Sequence, residues 1–170
     1  MNRDITRDTL ADGALTILQG ADGFRFGIDA VMLATDLPEF DPKGTVVDLG
    51  AGQGAVGLSV AVSNPDAEVI CLERQSSLLE LLRENIRIND LQERVEAREG
   101  DVREYREALQ PHSADLVVCN PPYYRAGERR PGANDERAAA RIEMHGTLDD
   151  FVDAAAYVLD QRGRLKIIVP

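Results

Sequence analysis

Short apolar runs alternate with amphipathic stretches along most of the chain. Thr45-Val46-Val47-Asp48-Leu49 is an apolar run around a single acid, and it leads straight into glycines at alternate positions, Gly50, Gly52 and Gly54. The apolar residues Ala55 to Val62 follow, so this region predicts a buried strand, a tight turn and a helix. Asn64-Pro65-Asp66 breaks the pattern, and Glu68-Val69-Ile70-Cys71-Leu72-Glu73 predicts a second buried strand that ends in an acid. Leu78, Leu79, Leu81, Leu82, Ile86 and Ile88 recur at helical spacing and predict an amphipathic helix over 76–89. Residues 94–99 alternate in polarity, as a strand near a sheet edge does. A short helix over 103–109 ends before Pro111, and residues 115–119 form a fourth apolar strand. Residues 135–144 are helical in composition, and 148–160 form a helix capped by Thr147. Beyond Gly163, residues 165–169 supply a fifth strand. Five alternations of strand and helix predict an α/β sandwich with a mainly parallel sheet and right-handed crossovers.

The first forty residues read differently. Residues 1–11 are polar and predict a frayed end. Leu15 to Gln19 and Phe24 to Gly27, around Gly20-Ala21-Asp22-Gly23, predict a hairpin. Asp29 is placed to cap a helix over 30–37, which Pro38 and Pro42 stop. The organisation expected is one domain over 1–170, with a hairpin-and-helix extension at 1–42 and a ligand-binding core at 43–170.

A chain of 170 residues buries roughly 70% of its unfolded surface and needs no metal or disulfide staple. Cys71 and Cys119 are far apart, each inside an apolar strand, which predicts two reduced, packed thiols rather than a disulfide or metal site. No stretch reads as a targeting signal or a membrane span, and a cytoplasmic location is expected. The net charge of −11 argues against a nucleic-acid partner. Between Tyr123 and Arg141, however, five arginines (Arg125, Arg129, Arg130, Arg137, Arg141) face three acids, a local charge of +2 that leaves −13 elsewhere. Their place next to a candidate catalytic loop suits contact with phosphates.

That loop decides the chemistry. The fourth strand ends in Asn120-Pro121-Pro122-Tyr123. A glycine turn alone fits dinucleotide enzymes as well. Paired with this loop at this spacing, it resembles the class I S-adenosylmethionine-dependent methyltransferases that modify planar amino groups. The resemblance implies a Rossmann-like sandwich with its five parallel strands in the order 3-2-1-4-5 and S-adenosylmethionine as cofactor, leaving S-adenosylhomocysteine as product. It implies that Gly50, Ala51, Gly52, Gln53 and Gly54 cradle the methionyl part, with Asp48 near its amino end and Asn120 beside it. Asp101 would bond the adenine. Glu73, about twenty residues past the glycines, can accept hydrogen bonds from both hydroxyls of a ribose. The amine of adenine is a poor nucleophile, and the Asn120 side-chain oxygen and the Pro121 carbonyl can stabilise the charge that grows on it. Pro121 and Pro122 stiffen the loop, and Tyr123 can stack on a flat acceptor. No metal is expected.

Residues 23–34, with Arg137 to Glu143 and Thr147-Leu148, are similar to the bacterial tRNA (adenine-N6) methyltransferases that modify a valine tRNA beside its anticodon, although that family usually has His where this chain has Ile142. An RNA acceptor, foremost tRNA, is thus implied, with Tyr123, Arg125, Arg129 and Arg130 as substrate-binding residues. Other readings stay open: a release-factor type protein glutamine methyltransferase, a DNA adenine-N6 methyltransferase, a nicotinamide oxidoreductase, or an inactive module of the same fold. The resembled family adds a sixth and a seventh strand, which are expected to be missing here and to leave the fifth strand's edge open.

Overall fold

The computed structural model describes residues 5–21, 27–35, 44–121 and 146–168. Its centre is a five-stranded parallel sheet built from β3 (Gly44–Leu49), β4 (Ala67–Glu73), β5 (Val95–Glu99), β6 (Ala114–Cys119) and β7 (Leu159–Ile167), in the spatial order β5-β4-β3-β6-β7. This is the Rossmann-like order expected of the methyltransferase sandwich. The central strand β3 reverses the direction in which the sheet is wound, so its carboxyl end lies at the crevice where such sheets bind ligands.

Side-chain alternation along β3 separates two cores. Val46 joins Val118 and Cys71 under α1 (Ile28–Thr35), α2 (Ala55–Ser63) and α3 (Ser76–Ile88). Val47 and Leu49 join Leu72, Val117 and Cys119 on the other face, where α4 (Tyr105–Ala108) and α5 (Leu148–Val158) pack. Helix α2 is apolar all round because it is wedged between the sheet and α1, and the seven residues from Ala55 to Ala61 are all buried. Helix α5 starts with a capping box: Thr147 accepts the Asp150 N–H, and Asp150 accepts the Thr147 N–H at 2.7 Å. Strand β5 is the polar edge strand that its alternation predicts.

Three local expectations are corrected. Residues 5–10 are not frayed but form β1 (Ile5–Leu10), antiparallel to β2 (Leu15–Gly20), with Leu10 opposite Leu15 and Ile5 opposite Gly20. The hairpin of β1 and β2 therefore turns at residues 11–14, and residues 22–26, which hold most of the expected second turn and strand, lie outside the described residues. Strand β1 reads as polar because it is the outer strand, with one row of side chains in water. Helix α1 begins at Ile28, which puts Asp29 inside its first turn rather than ahead of it.

The last strand begins at Leu159, so Gly163 lies within it. Three residues of β6 (Ala114 to Leu116) are matched by six, Leu159 to Arg164, of β7. The extra residues loop out on an Asp160 carboxylate that accepts the Arg162 N–H at 2.7 Å. A Cβ on Gly163 would fall 2.9 Å from the Ala114 carbonyl oxygen, which is why a glycine completes this bulge.

Candidate active site

The parallel registers bring four strand tips into one row. Leu49 pairs with Leu72 on one side and Cys119 on the other, and Glu73 pairs with Glu99. The residues that follow, Gly50, Asn120 and the Gly100-Asp101 pair, therefore stand along one rim with Glu73. Asn120 is half-buried and Pro121 buried. Of the residues expected to act, Asp48, Gly50, Ala51, Gly52, Gln53, Gly54, Glu73, Asp101, Asn120 and Pro121 gather at or under this rim. Pro122, Tyr123, Arg125, Arg129 and Arg130 lie outside the described residues.

The glycine turn is held open by its own backbone. Gly50, Gly52 and Gly54 have φ of 70°, 58° and 93°, a region that other residues rarely enter. The Gly50 and Ala51 N–H groups both donate to the Leu72 carbonyl, at 2.9 and 3.0 Å. A Cβ on Gly50 would come within 3.1 Å of the Phe151 ring, so this aromatic from α5 forms the wall beside the turn.

Glu73 is 5% exposed and uses both carboxylate oxygens: Oε2 accepts the Gly52 N–H at 2.8 Å and Oε1 the Gln75 N–H at 2.7 Å. Each oxygen keeps a further lone pair. The acid at the tip of β4 thus ties the turn of β3 to its own strand while remaining able to accept from a ligand hydroxyl.

Asp48 is 2% exposed and lies beneath the turn, not on its open side. Its Oδ2 accepts the Gly57 N–H at 2.8 Å. Gly57 is the third residue of α2, whose N-cap, Gly54, has no side chain to offer, so Asp48 supplies the missing capping carboxyl from the strand below. Burial pushes its pKa up to about 7, the Gly57 N–H draws it back, and the charge of Glu73 adds to the rise. Burial, reinforced by Asp48, also holds the Cys71 thiol well above its ordinary value and pushes Cys119 up to about 12. Both cysteines are free and buried, so they are packing thiols and not nucleophiles.

Asp101 caps the short turn after β5 and is gripped by two arginines. Arg103 donates to Oδ1 through Nε at 2.9 Å and to Oδ2 through Nη2 at 2.5 Å, and Arg74 Nε lies 3.0 Å from Oδ2. These contacts, that of Arg103 first, hold its carboxyl below the usual range, so it is an ionised acceptor. Gln53 is 2% exposed, and its Oε1 is buried without a hydrogen-bond partner. A half-satisfied acid at the tip of β4 and an ionised carboxylate after β5 suit a ligand with a ribose and a purine, whereas the Gln53 side chain is buried towards Gln19 of the hairpin. Among the described residues no group of three or more His, Cys, Asp or Glu side chains could hold a metal, and no helix is long and apolar enough to cross a membrane.

The profile of the methyltransferase small domain family matches residues 25–170. The chain belongs to this family. Among curated methyltransferase relatives, the tRNA1(Val) (adenine(37)-N6)-methyltransferase of Erwinia tasmaniensis is 30% identical over 148 residues, spanning 86% of this chain and 58% of that protein. The enzyme of the same name from Flavobacterium johnsoniae is 28% identical over 155 residues, spanning 91% of this chain and 65% of the other. The chain thus spans about three fifths of the length of the curated methyltransferases it matches. In fold, the chain is similar to M. jannaschii TYW2 in complex with AdoMet, with a TM-score of 0.68 at 16% identity over 97% of this chain and 63% of that one. It is also similar to a predicted O-methyltransferase from Agrobacterium tumefaciens, with a TM-score of 0.62 at 27% identity over 82% of this chain and 60% of the other.

The sequence pattern did not single out Phe151 as a wall of the site, because on α5 it reads as one more core position. Asn85 and Gln19 were also missed. Both are polar residues in otherwise apolar patterns, and Asn85 sits among the leucines of α3, which was the available signal.

Proposed function

We propose that this chain binds S-adenosylmethionine along the rim of β3, β4 and β5 and methylates the exocyclic amine of adenine in RNA, foremost tRNA, in the cytoplasm. The observation that carries the proposal is the register of β3 against β6, which sets Asn120 next to Gly50. A donor lying in the glycine turn then has the acceptor loop at its side. The name shared by the Erwinia and Flavobacterium relatives supports adenine as the acceptor.

In this reading the turn from Gly50 to Gly54 takes the methionyl part, Glu73 the ribose hydroxyls and Asp101 the adenine amino group. The sulfonium supplies an activated methyl group, so the protein's work is alignment and charge stabilisation. The Asn120 side-chain oxygen and the Pro121 carbonyl accept hydrogen bonds from the substrate amine, favouring a pyramidal nitrogen and spreading the positive charge as the new bond forms. The proton then leaves to water. Tyr123 stacks on the base, and Arg125, Arg129 and Arg130 meet RNA phosphates, which brings positive charge to the substrate side of an acidic protein.

Transfer of labelled methyl groups to total tRNA, DNA and release-factor protein, presented side by side, tests the acceptor. Labelling of tRNA is expected, with Asn120→Ala lowering turnover by about two orders of magnitude and leaving cofactor affinity nearly unchanged. Labelling of protein or DNA alone would transfer the assignment to the glutamine or DNA adenine enzymes, and equal loss of cofactor binding in Asn120→Ala would remove Asn120 from the chemistry.

A further inference from the structure

Asn85 on α3 and Asn89, the residue that caps its C-terminus, treat the edge of β2 as a partner strand. Asn89 Oδ1 accepts the Thr16 N–H at 2.9 Å, and its Nδ2 donates to the Thr16 carbonyl at 2.7 Å. Asn85 repeats the pattern on Leu18, accepting the N–H at 2.8 Å and donating to the carbonyl at 3.0 Å. The spacings agree, since four residues of helix rise about 6 Å and two residues of strand about 7 Å. Each side-chain amide closes a ring with one backbone residue and leaves neither group of that residue unpaired.

Asn85 makes one bond that Asn89 does not. Its Nδ2 also donates to the Gln53 carbonyl, in the glycine turn, at 2.9 Å. Asn85 is fully buried, at 0% exposure, so this bond has no competition from water. A second thread runs alongside it: Gln53 Nε2 reaches Gln19 Oε1 at 3.4 Å, and Gln19 Nε2 donates to Asp8 Oδ2 at 2.5 Å. The hairpin, α3 and the turn thus share one polar network within an apolar layer.

The turn needs such a tether. Three of its five residues are glycines with positive φ, which lose more conformational freedom on ordering than any other residue type. The bonds to Leu72 and Glu73 fix its N–H groups from the sheet side, and Asn85 fixes a carbonyl from the helix side. We propose that Asn85 is a positioning residue, holding the glycine turn in its ligand-ready shape and making the N-terminal hairpin part of the binding apparatus. The ligand half of this inference rests on the cofactor assignment above.

Amide hydrogen exchange on the ligand-free protein and calorimetric binding of S-adenosylhomocysteine separate the possibilities. Asn89→Ala is the control, since it also frees one residue of β2 and loses a 2.7 Å bond to the Asn85 carbonyl, but removes no bond to the turn. Asn85→Ala is expected to speed exchange at Gly52 and Gly54 about tenfold and to weaken S-adenosylhomocysteine binding about tenfold, equivalent to about 1.4 kcal/mol. Asn89→Ala should leave both within about twofold, even where it lowers the unfolding midpoint as much. Should Asn85→Ala not fold in plain buffer, both variants are measured in trimethylamine N-oxide, which strengthens burial without restoring the bond to the turn. Equal acceleration by the Asn85 and Asn89 variants, or none by the Asn85 variant, would overturn the inference. Failure of the unsubstituted protein to bind S-adenosylhomocysteine, with the exchange pattern as expected, would sink the cofactor assignment and uphold Asn85 as the tether.

Discussion

Glu73 and Gly52 are joined by a hydrogen bond of 2.8 Å that runs from the tip of one parallel strand to the turn at the end of its neighbour. The acid is the last residue of β4, and the amide belongs to a backbone that only glycine adopts easily. One carboxylate thus shapes the turn while its spare lone pairs face whatever lies in it.

Replacing that acid separates its two duties from simple charge. In Glu73→Gln one of the two oxygens becomes an N–H group pointed at another N–H group, so either the Gly52 or the Gln75 bond is lost. A buried bond to a charged acceptor contributes about 1.5–3 kcal/mol. Urea unfolding should show a loss of that size, and S-adenosylhomocysteine affinity should fall with it. A variant as stable as the original protein would mean that the turn does not depend on Glu73.

Asp48 gives a pH dependence whose sign is set by burial. Its folded pKa of about 7 lies above its ordinary 3.8, so the folded state favours the protonated form. This contribution to stability is full below about pH 3.8, declines as the unfolded chain ionises, and is lost as pH rises through about 7. The total is at most about 4 kcal/mol. Asp48→Asn retains an acceptor for the Gly57 N–H and does not titrate. Compared by denaturant midpoint, the Asn variant should gain on the original protein steadily from pH 4 to pH 7 and level off above it. A constant difference across that range would show that Asp48 is already charged at pH 4.

Gly54 and Gly13 form a matched pair for testing the turn. Both have φ near +90°, yet a Cβ at Gly13 meets nothing within 4 Å, whereas at Gly54 it would lie 2.5 Å from Leu82 Cδ1 and 3.0 Å from Leu58 Cγ. Gly13→Ala should therefore cost only the conformational term, about 1–2 kcal/mol. Gly54→Ala should cost that plus crowding of about 1–3 kcal/mol, measured by thermal or chemical unfolding. Equal losses would mean that Leu82 moves aside freely.

The centre of the parallel sheet was legible because β3, β4 and β6 are largely buried on both faces, and so appear as apolar runs closed by Gly50, Glu73 or Asn120. Strand β1 was not, since Arg7 and Asp8 interrupt it and a strand exposed on one row resembles a polar tail. Gly163 misled in a related way: a glycine that ends one element and a glycine that lets a strand bulge look alike until Ala114 is seen pressing on it. Glu73 and Asp101 stand at strand ends, as the pattern of the chain predicts, but the turning of Asp48 under α2 depends on Gly57, nine residues on, which no strand-and-turn pattern encodes. Asn85 was hidden by its leucine neighbours, because periodicity counts what is apolar and passes over the amide among them.

The paired amides at the end of α3 also bear on where the parallel-sheet core can be cut. A shorter polypeptide starting at Gly44 would keep every parallel strand, yet it would leave Asn85 and Asn89 facing a bare trough with their hydrogen-bonding groups stranded among leucines. Such a protein should be sticky and slow to settle, and a graft of this core onto another scaffold would have to bring along its own short ribbon to fill that trough.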